Sequence, residues 1–483
     1  MMLLSRYPCV SLRKPNSRGS ELSVAARSVA DMSLNQLSST LNGALVLPDS
    51  ADFDTARLHH GQPGDPAAVV RVADVEDVVA AIAAARKADL PVAVRGGGHS
   101  TWESVPGSLV VDLHALDRVD VDEGTPAASD GTRLVHVGGG ATWGRGRDRA
   151  GPRRPGDQLG RHAFGGRGRA DPRRGIGWVV RSWGLTLDQL VGVQLVTADG
   201  EVLEVSASSH PDLFWGVRGG GGNLGVVSRF DFVAHPLAGL VHASITLNAA
   251  GGLPTLVRAF RDVMRTAPRE LNGSLVRTPA MGPEMPSRTM IELAWAGTDE
   301  AAAQAALAPV LALPQAVSSE VAPIDYPNLL QEPPTPPPGM QMPTIVDENG
   351  WFESLDDEVI DALVAAADAA GAQMFMVRWL GGAFSDVDPD ATAIAFRSAE
   401  AFIVTAAFVA PDAPESEAAR VKGVLAPFVE HALGTYGNFR NSVAPGVSER
   451  MYPPHTLARL RALKREWDPD NHFCRNHNVV PLA

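Results

Sequence analysis

The sequence predicts an α+β fold divided between two domains. Before residue 240, short strands alternate with a helix and with glycine loops. The same stretch holds a hairpin signal, with its turn at Ala198-Asp199-Gly200. After residue 240, amphipathic helices alternate with isolated strands, the pattern of a sheet covered by helices.

Taken in order, "AVVRV" is a β-branched run and predicts a strand near residues 68–72. Asp74 suits a helix N-cap, with Asp77 three residues on. Val75, Val78, Val79, Ile82 and Ala85 then follow helical spacing. "PVAVR", "SLVVDLHAL" and "RLVHVGGG" continue as strands. "DQLVGVQLVTADGEVLEVSA" reads as strand, turn, strand, and "GVVSRFDFVAHP" as a further strand. In the second half, "PTLVRAFRDVMRTA" and "DDEVIDALVAAADAAG" are amphipathic helices, and "SRTMIELAWAG" and "AQMFMVRWLGGA" are strands. "EPPTPPPGMQMP" is a Pro-rich loop. "TLARLRALKREW" is a helix stopped by Asp468-Pro469, followed by an extended tail.

The chain has 483 residues, 45% hydrophobic and 20% charged, enough to bury a large core. A net charge of −13 argues against a general nucleic-acid or membrane-surface partner. Cys9 and Cys474, at opposite ends, suggest neither a disulfide framework nor a metal-ligand cluster. There is no apolar run of the roughly 18 residues a membrane span needs. Residues 1–35 read as a disordered or mis-assigned extension, with Met32 a plausible start and no signal-peptide pattern, so the expected location is cytoplasmic. The domains expected beyond it are 36–240, 241–424 and a returning C-terminal segment 425–483.

Glycine runs recur at strand ends: "RGGGHS" (95–100), "VGGGATWG" (137–144), "RGIGW" (174–178) and "VRGGGGNLGVV" (217–227). Consecutive glycines let backbone N–H groups converge on an anion and let a ligand approach the chain. Glycine-rich sheet corners are the other reading.

At these residues the chain resembles the berberine-bridge-enzyme-like FAD-linked oxidoreductases of the vanillyl-alcohol-oxidase superfamily. The resemblance rests on "PVAVRGGGHS", "LVVDL", "VGGGATWG", "GIGWVVRSWGLTLDQLV", "TADGEV", "PDLFWGVRGGGGNLGVVSRFDF" and "WDPDNHFCRNHNVVP". It implies a PCMH-type FAD-binding domain of two α+β subdomains, with a substrate domain whose antiparallel sheet is covered by helices. It implies FAD bonded covalently through His99 to the 8α carbon of the flavin; a histidine contacting the cofactor without that bond is the alternative. By the same resemblance Arg95, Gly96, Gly97, Gly98 and Ser100 form the pyrophosphate loop. Gly175 and Gly177, with Ile176, match a second cofactor loop, and Asp188 an acidic position near the flavin. Gly221, Gly222, Asn223, Gly225 and Val227 match the loop that holds adenine and ribose phosphate. Asn476 and Asn478 match a terminal pair that closes over the flavin. Trp178 and Trp215 read as core packing.

Residues 145–174 break the pattern. They hold ten arginines and three aspartates, a net +7, so the rest of the chain carries −20 and offers no basic surface elsewhere. "PRRPGD" can be encoded by bases that, read one position later, give His-Gly-Val-Leu-Ala-Thr. "GGRGRADPRRG" likewise yields Gly-Val-Ala-Gly-Gly-Leu-Thr-Leu-Gly-Gly. Both phrases are similar to what the family carries here, so the segment reads as a local frameshift. A cysteine that forms a second flavin bond in some family members is not encoded, and the residue that gates oxygen falls in this stretch.

Oxidation of an alcohol or amine carbon needs a base for the proton that the hydride leaves behind. The family often places a tyrosine in a Tyr-x-Asn context, matched here by Tyr436 and Asn438; a packed core tyrosine is the other reading. Arg378 or Trp379 could line the pocket. His114, His136 and His455 lack ligand spacing and read as surface or packing residues. The implied partners are a small-molecule substrate and oxygen or another electron acceptor, with no nucleic acid and no membrane. A catalytically impaired scaffold, crippled by residues 145–174, is the competing function.

Overall fold

The computed structural model describes residues 33–59, 62–98, 106–122, 130–141, 162–163, 175–237, 239–248, 251–280, 286–329, 343–440, 446–475 and 477–482. Three main sheets organise them. The first has the order Ala44–Val46, Ala68–Arg71, Leu109–Asp112, Val92–Arg95. Its last three strands run parallel and its edge strand antiparallel. Parallel strands need both faces covered, which is why these segments read as unbroken valine runs. Helix Val75–Lys87 covers the sheet with Val78, Ala81, Ile82 and Ala85. Asp74 caps it by accepting from the Asp77 N–H at 3.0 Å.

The second sheet is antiparallel, in the order Val202–Ser206, Leu190–Val196, Val226–Pro236, Arg133–Gly138, Val119–Val121. The predicted hairpin is its edge, and Gly200 takes φ +81° at the turn. His162–Ala163 pair with His235–Pro236, the one described contact from the arginine-rich interval.

The third sheet has seven antiparallel strands. Their order is Ala316–Ile324, Leu240–Leu247, Arg288–Ala296, Leu271–Thr278, Met374–Trp379, Ala401–Val409, Thr344–Phe352. Helices Gly252–Thr266, Glu300–Leu311 and Asp357–Ala369 bury their apolar stripes against one face, through Ala243, Ile245, Leu275, Leu293, Phe375 and Val377. Because strand side chains alternate, the register places Ser244, Glu292, Ser274, Arg378, Phe402 and Trp351 in one row on the other face.

Helix Pro454–Trp467 returns to the second sheet, packing Leu457, Leu460 and Leu463 against Leu213, Phe214 and Leu224. The tail then crosses to the first sheet, where the His472 carbonyl accepts from the Val92 N–H at 2.9 Å. Cys474 is buried and disulfide-bonded. Among the described residues no helix is long and apolar enough to cross a membrane, and no group of three His, Cys, Asp or Glu could hold a metal.

Candidate active site

The site forms where the glycine loops, the C-terminal tail and the polar face of the third sheet meet. Gly96–Gly98 follow strand Val92–Arg95, and Gly98 takes φ +67°. The Arg95 side chain turns back into the protein. Its guanidinium donates to the carbonyls of Ala56 (2.6 Å) and Leu58 (3.0 Å) and pairs with Asp112 at 2.7 Å. Arg95 therefore braces the loop from behind. The run Gly138–Gly140 serves close packing: a Cβ on Gly140 would lie 1.7 Å from the Leu113 carbonyl oxygen. His99 and Ser100 lie outside the described residues.

In the loop Gly175–Gly177, the Gly175 carbonyl accepts from the Thr186 N–H at 3.1 Å, folding the loop over the turn that carries Asp188. Asp188 is buried and bidentate with Arg397, at 2.7 and 2.9 Å, and also accepts from the Leu185 N–H at 2.7 Å. In the fourth loop, Gly225 takes φ +151°, and a Cβ there would stand 2.6 Å from the Val196 carbonyl oxygen. Gly221, at φ +71°, and Gly222 precede it, and Val227 continues into the strand opposite Leu195.

Asn223 ties this loop to the tail. Its amide donates to the carbonyls of Gly220 (2.8 Å) and His477 (3.1 Å), and its oxygen accepts from the Val479 N–H at 2.9 Å. Lys464 stands beneath, donating to the carbonyls of Asn223 (2.8 Å) and Phe473 (3.0 Å) and to Asp468 at 2.5 Å. Burial lowers the Lys464 ammonium to about 8, with the Asp468 carboxylate opposing that shift. The tail then reaches the tyrosine loop, where the His477 ring nitrogen lies 3.0 Å from the Gly437 carbonyl. Next to it, Asn478 has a side-chain oxygen that is buried without a hydrogen-bond partner. Asn476 lies outside the described residues.

Tyr436 is buried at 1% exposure among Trp351, Phe402 and Phe439, with ring centroids 5.1 to 5.9 Å away. Asn438 donates to its phenolic oxygen at 3.2 Å. Asn349 fixes the loop from the sheet: its oxygen accepts from the Tyr436 N–H at 2.8 Å and its amide donates to the Phe439 carbonyl at 2.8 Å. Ile176 of the Gly175–Gly177 loop belongs to the same apolar cluster as Tyr436. Thus a glycine loop and the tyrosine, separated by 260 positions in the sequence, share one cluster.

The structure separates the two pocket candidates on strand Met374–Trp379. Arg378 lies on the polar face, its guanidinium 4.8 Å over the Trp178 ring. Trp379 packs into the helix-covered core against Phe260. Trp215 is buried and donates to the Asp390 carbonyl at 2.8 Å. His136 pairs with Asp231 at 2.5 Å, and His455, exposed, with Asp390 at 3.2 Å. Asp231 is raised by burial, but its bonds from Arg229 and His136 outweigh that and hold it low. Sequence reasoning missed Arg397, Asn349 and Lys464. A lone charged or amide residue inside an unassigned loop or strand carries no periodic signal.

Two family models match the chain: an FAD binding domain over residues 66–206, and "berberine and berberine like" over residues 435–480. The chain is 26% identical over 477 residues to (R)-6-hydroxynicotine oxidase of Paenarthrobacter nicotinovorans, covering 92% of this chain and 97% of that protein. Xylooligosaccharide oxidase of Myceliophthora thermophila superposes with a TM-score of 0.79 at 22% identity, over 94% of this chain and 100% of its own. Glucooligosaccharide oxidase of Acremonium strictum, described with a 6-S-cysteinyl, 8α-N1-histidyl FAD, superposes at 0.76 with 21% identity over 93% and 100%.

Proposed function

We propose that this FAD-dependent enzyme, whose matches to the FAD binding domain and to berberine and berberine like ally it with the berberine-bridge-enzyme-like oxidoreductases, oxidises an alcohol, sugar or secondary-metabolite carbon of a small molecule, with oxygen or another acceptor taking the electrons. The observation that carries the reading is the cluster joining Ile176 of a glycine loop to Tyr436 and its Asn438 hydrogen bond. FAD, when bound, supplies the hydride acceptor.

The residues present fit that cofactor. Backbone at Gly96–Gly98 and Gly221–Gly225 would hold its phosphates, since the neighbouring Arg95 and Asn223 side chains are occupied within the protein. The unpartnered, buried Asn478 oxygen would accept from the flavin ring. His99 would carry the covalent bond through its neutral imidazole. Gly175, Gly177, Asp188, Val227, Ser100 and Asn476 complete the proposed cofactor set, Asp188 acting through the loop it holds. Tyr436 would take the substrate proton. The Asn438 amide, donating to its phenolic oxygen at 3.2 Å, would hold that oxygen in place. Domains 36–240 and 241–424, with the return of 425–483, follow from the same reading.

Purified full-length protein should show a visible flavin band that stays with the acid-precipitated chain. It should lose that band anaerobically on mixing with one member of a panel of oligosaccharides, hydroxylated alkaloids and simple alcohols. Protein that binds no flavin when FAD is supplied would overturn the proposal.

A further inference from the structure

A loop of the substrate domain, Asp386 to Ala399, touches two glycine loops of the FAD-binding half at once. Toward Gly175–Asp188 it sends Arg397. A guanidinium has five N–H donors, and here they meet five acceptors. These are both Asp188 oxygens, the carbonyls of Ile394 (3.1 Å) and Phe384 (3.4 Å), and the Thr392 hydroxyl at 3.2 Å. The pair is almost wholly buried, at 1% and 7% side-chain exposure. Arg397 is thus fully engaged by protein groups and has no donor left for a cofactor.

Toward Arg218–Gly225 the same loop uses its backbone. The Ala393 N–H donates to the Arg218 carbonyl at 3.0 Å, and Arg218 returns a bond to the Ala391 carbonyl at 2.9 Å. Gly219 sits at φ +124°, and a Cβ there would lie 2.9 Å from Ile394 and 3.0 Å from the Ala393 backbone. Adjacent residues serve different cores: Ala393 packs with Leu213, Trp215 and Leu224, whereas Ile394 packs with Ile176, Leu185 and Tyr436. Thr392 links the ends, its hydroxyl accepting from both the Ile394 N–H at 3.2 Å and Arg397. Only three residues lie between the two anchors, Ala393 and Arg397, too few for them to move independently.

We infer that this loop is a clamp that sets the two glycine loops relative to each other, with Arg397 as its positioning residue. The inference rests on reading 175–188 and 218–225 as flavin loops. A mere domain contact would give only local effects, whereas a clamp transmits a disturbance at one anchor to the other.

Amide hydrogen exchange on the full-length chain, with flavin content measured in parallel, tests this. Arg397→Lys keeps the charge but loses the bidentate fork. It should raise exchange about tenfold or more, the scale of one charged hydrogen bond, at Leu185 and Asp188 and also at Gly219 and Gly220. Ala393→Val, which overpacks against Leu213, Trp215 and Leu224 at the other anchor, should raise exchange at 185–188 as well, and serves if the arginine variant does not fold. The exchanged pair Asp188→Arg with Arg397→Asp should recover part of the protection. Effects confined to the mutated anchor in both variants would overturn the clamp. Coupled exchange with undiminished flavin would support the clamp and overturn the assignment of these loops to flavin.

Discussion

Lys464→Met is expected to destabilise the protein strongly and in a pH-dependent way. Lys464 and Asp468 are both fully buried, and the ammonium has three N–H groups for three acceptors: Asn223, Phe473 and Asp468. Met nearly matches the volume but strands the Asp468 carboxylate and both carbonyls. Removing one partner of a buried pair costs about 3–5 kcal/mol, against a total of about 5–15 kcal/mol. The pH sign follows from burial, which lowers Lys464 from 10.5 to about 8 in the folded chain. Between those values the unfolded chain holds the extra proton, so this residue's contribution to stability rises with pH. Below about pH 8 the burden of the buried charge is present in full. Urea denaturation followed by tryptophan fluorescence at pH 7 and pH 10 would measure both effects. The wild-type advantage should be about 3–5 kcal/mol at pH 7 and should widen by pH 10. A loss under about 1 kcal/mol, the worth of an exposed pair, or an advantage that shrinks with pH, would refute this account.

Tyr436→Phe should keep the flavin spectrum while slowing anaerobic flavin reduction by substrate about 10²-fold, the scale of a lost general base; unchanged reduction would move the base elsewhere. His99→Ala should release its flavin on acid precipitation, and colour that stays with the precipitated variant would exclude His99 as the attachment point. Gly225→Ala should destabilise by at least about 1–2 kcal/mol, because φ +151° and a Cβ 2.6 Å from the Val196 carbonyl oxygen both oppose it; a neutral urea midpoint would contradict the packing. Two compensating single-base edits around residues 145–174 should raise flavin content and thermal stability together, and an unchanged melting temperature would count against the frameshift reading.

The first two sheets were legible apart from the short edge strands Ala44–Val46 and Val119–Val121, because the other strands carry their own signals. The valine runs at Ala68–Arg71 and Leu109–Asp112 match strands buried on both faces, and Ala198-Asp199-Gly200 marks the hairpin directly. In the third sheet, Leu240–Leu247, Leu271–Thr278, Ala316–Ile324, Thr344–Phe352 and Ala401–Val409 were not read as strands. For three of them the reason is physical. Ala401–Val409 is apolar on both faces, so it shows no alternation. Ala316–Ile324 is an exposed edge rich in serine and alanine. Leu271–Thr278 carries Asn272, Gly273 and Ser274 at buried positions, against the usual strand composition.

Residue type proved a weaker guide to the site than available atoms. Arg95, Asp188 and Asn223 are the kinds of residue expected to hold a charged cofactor, yet each side chain is taken up inside the protein, by Asp112, Arg397 and the tail respectively. The chain thereby assigns its polar side chains to fixing backbone, and a ligand at Gly96–Gly98 or Gly221–Gly225 would meet N–H groups already held in place. Such pre-set donors lose little freedom on binding, which is the physical use of ordering glycine runs despite their entropy. The polar face of the third sheet shows one exception. Ser274, fully buried in the row between Glu292 and Arg378, keeps a hydroxyl without a hydrogen-bond partner. A buried hydroxyl left so costs about 1–3 kcal/mol, a loss that packing alone does not explain on a face opposite the helix-covered core. We propose that this row, through Ser274, is where a side chain rather than backbone meets the small molecule being oxidised.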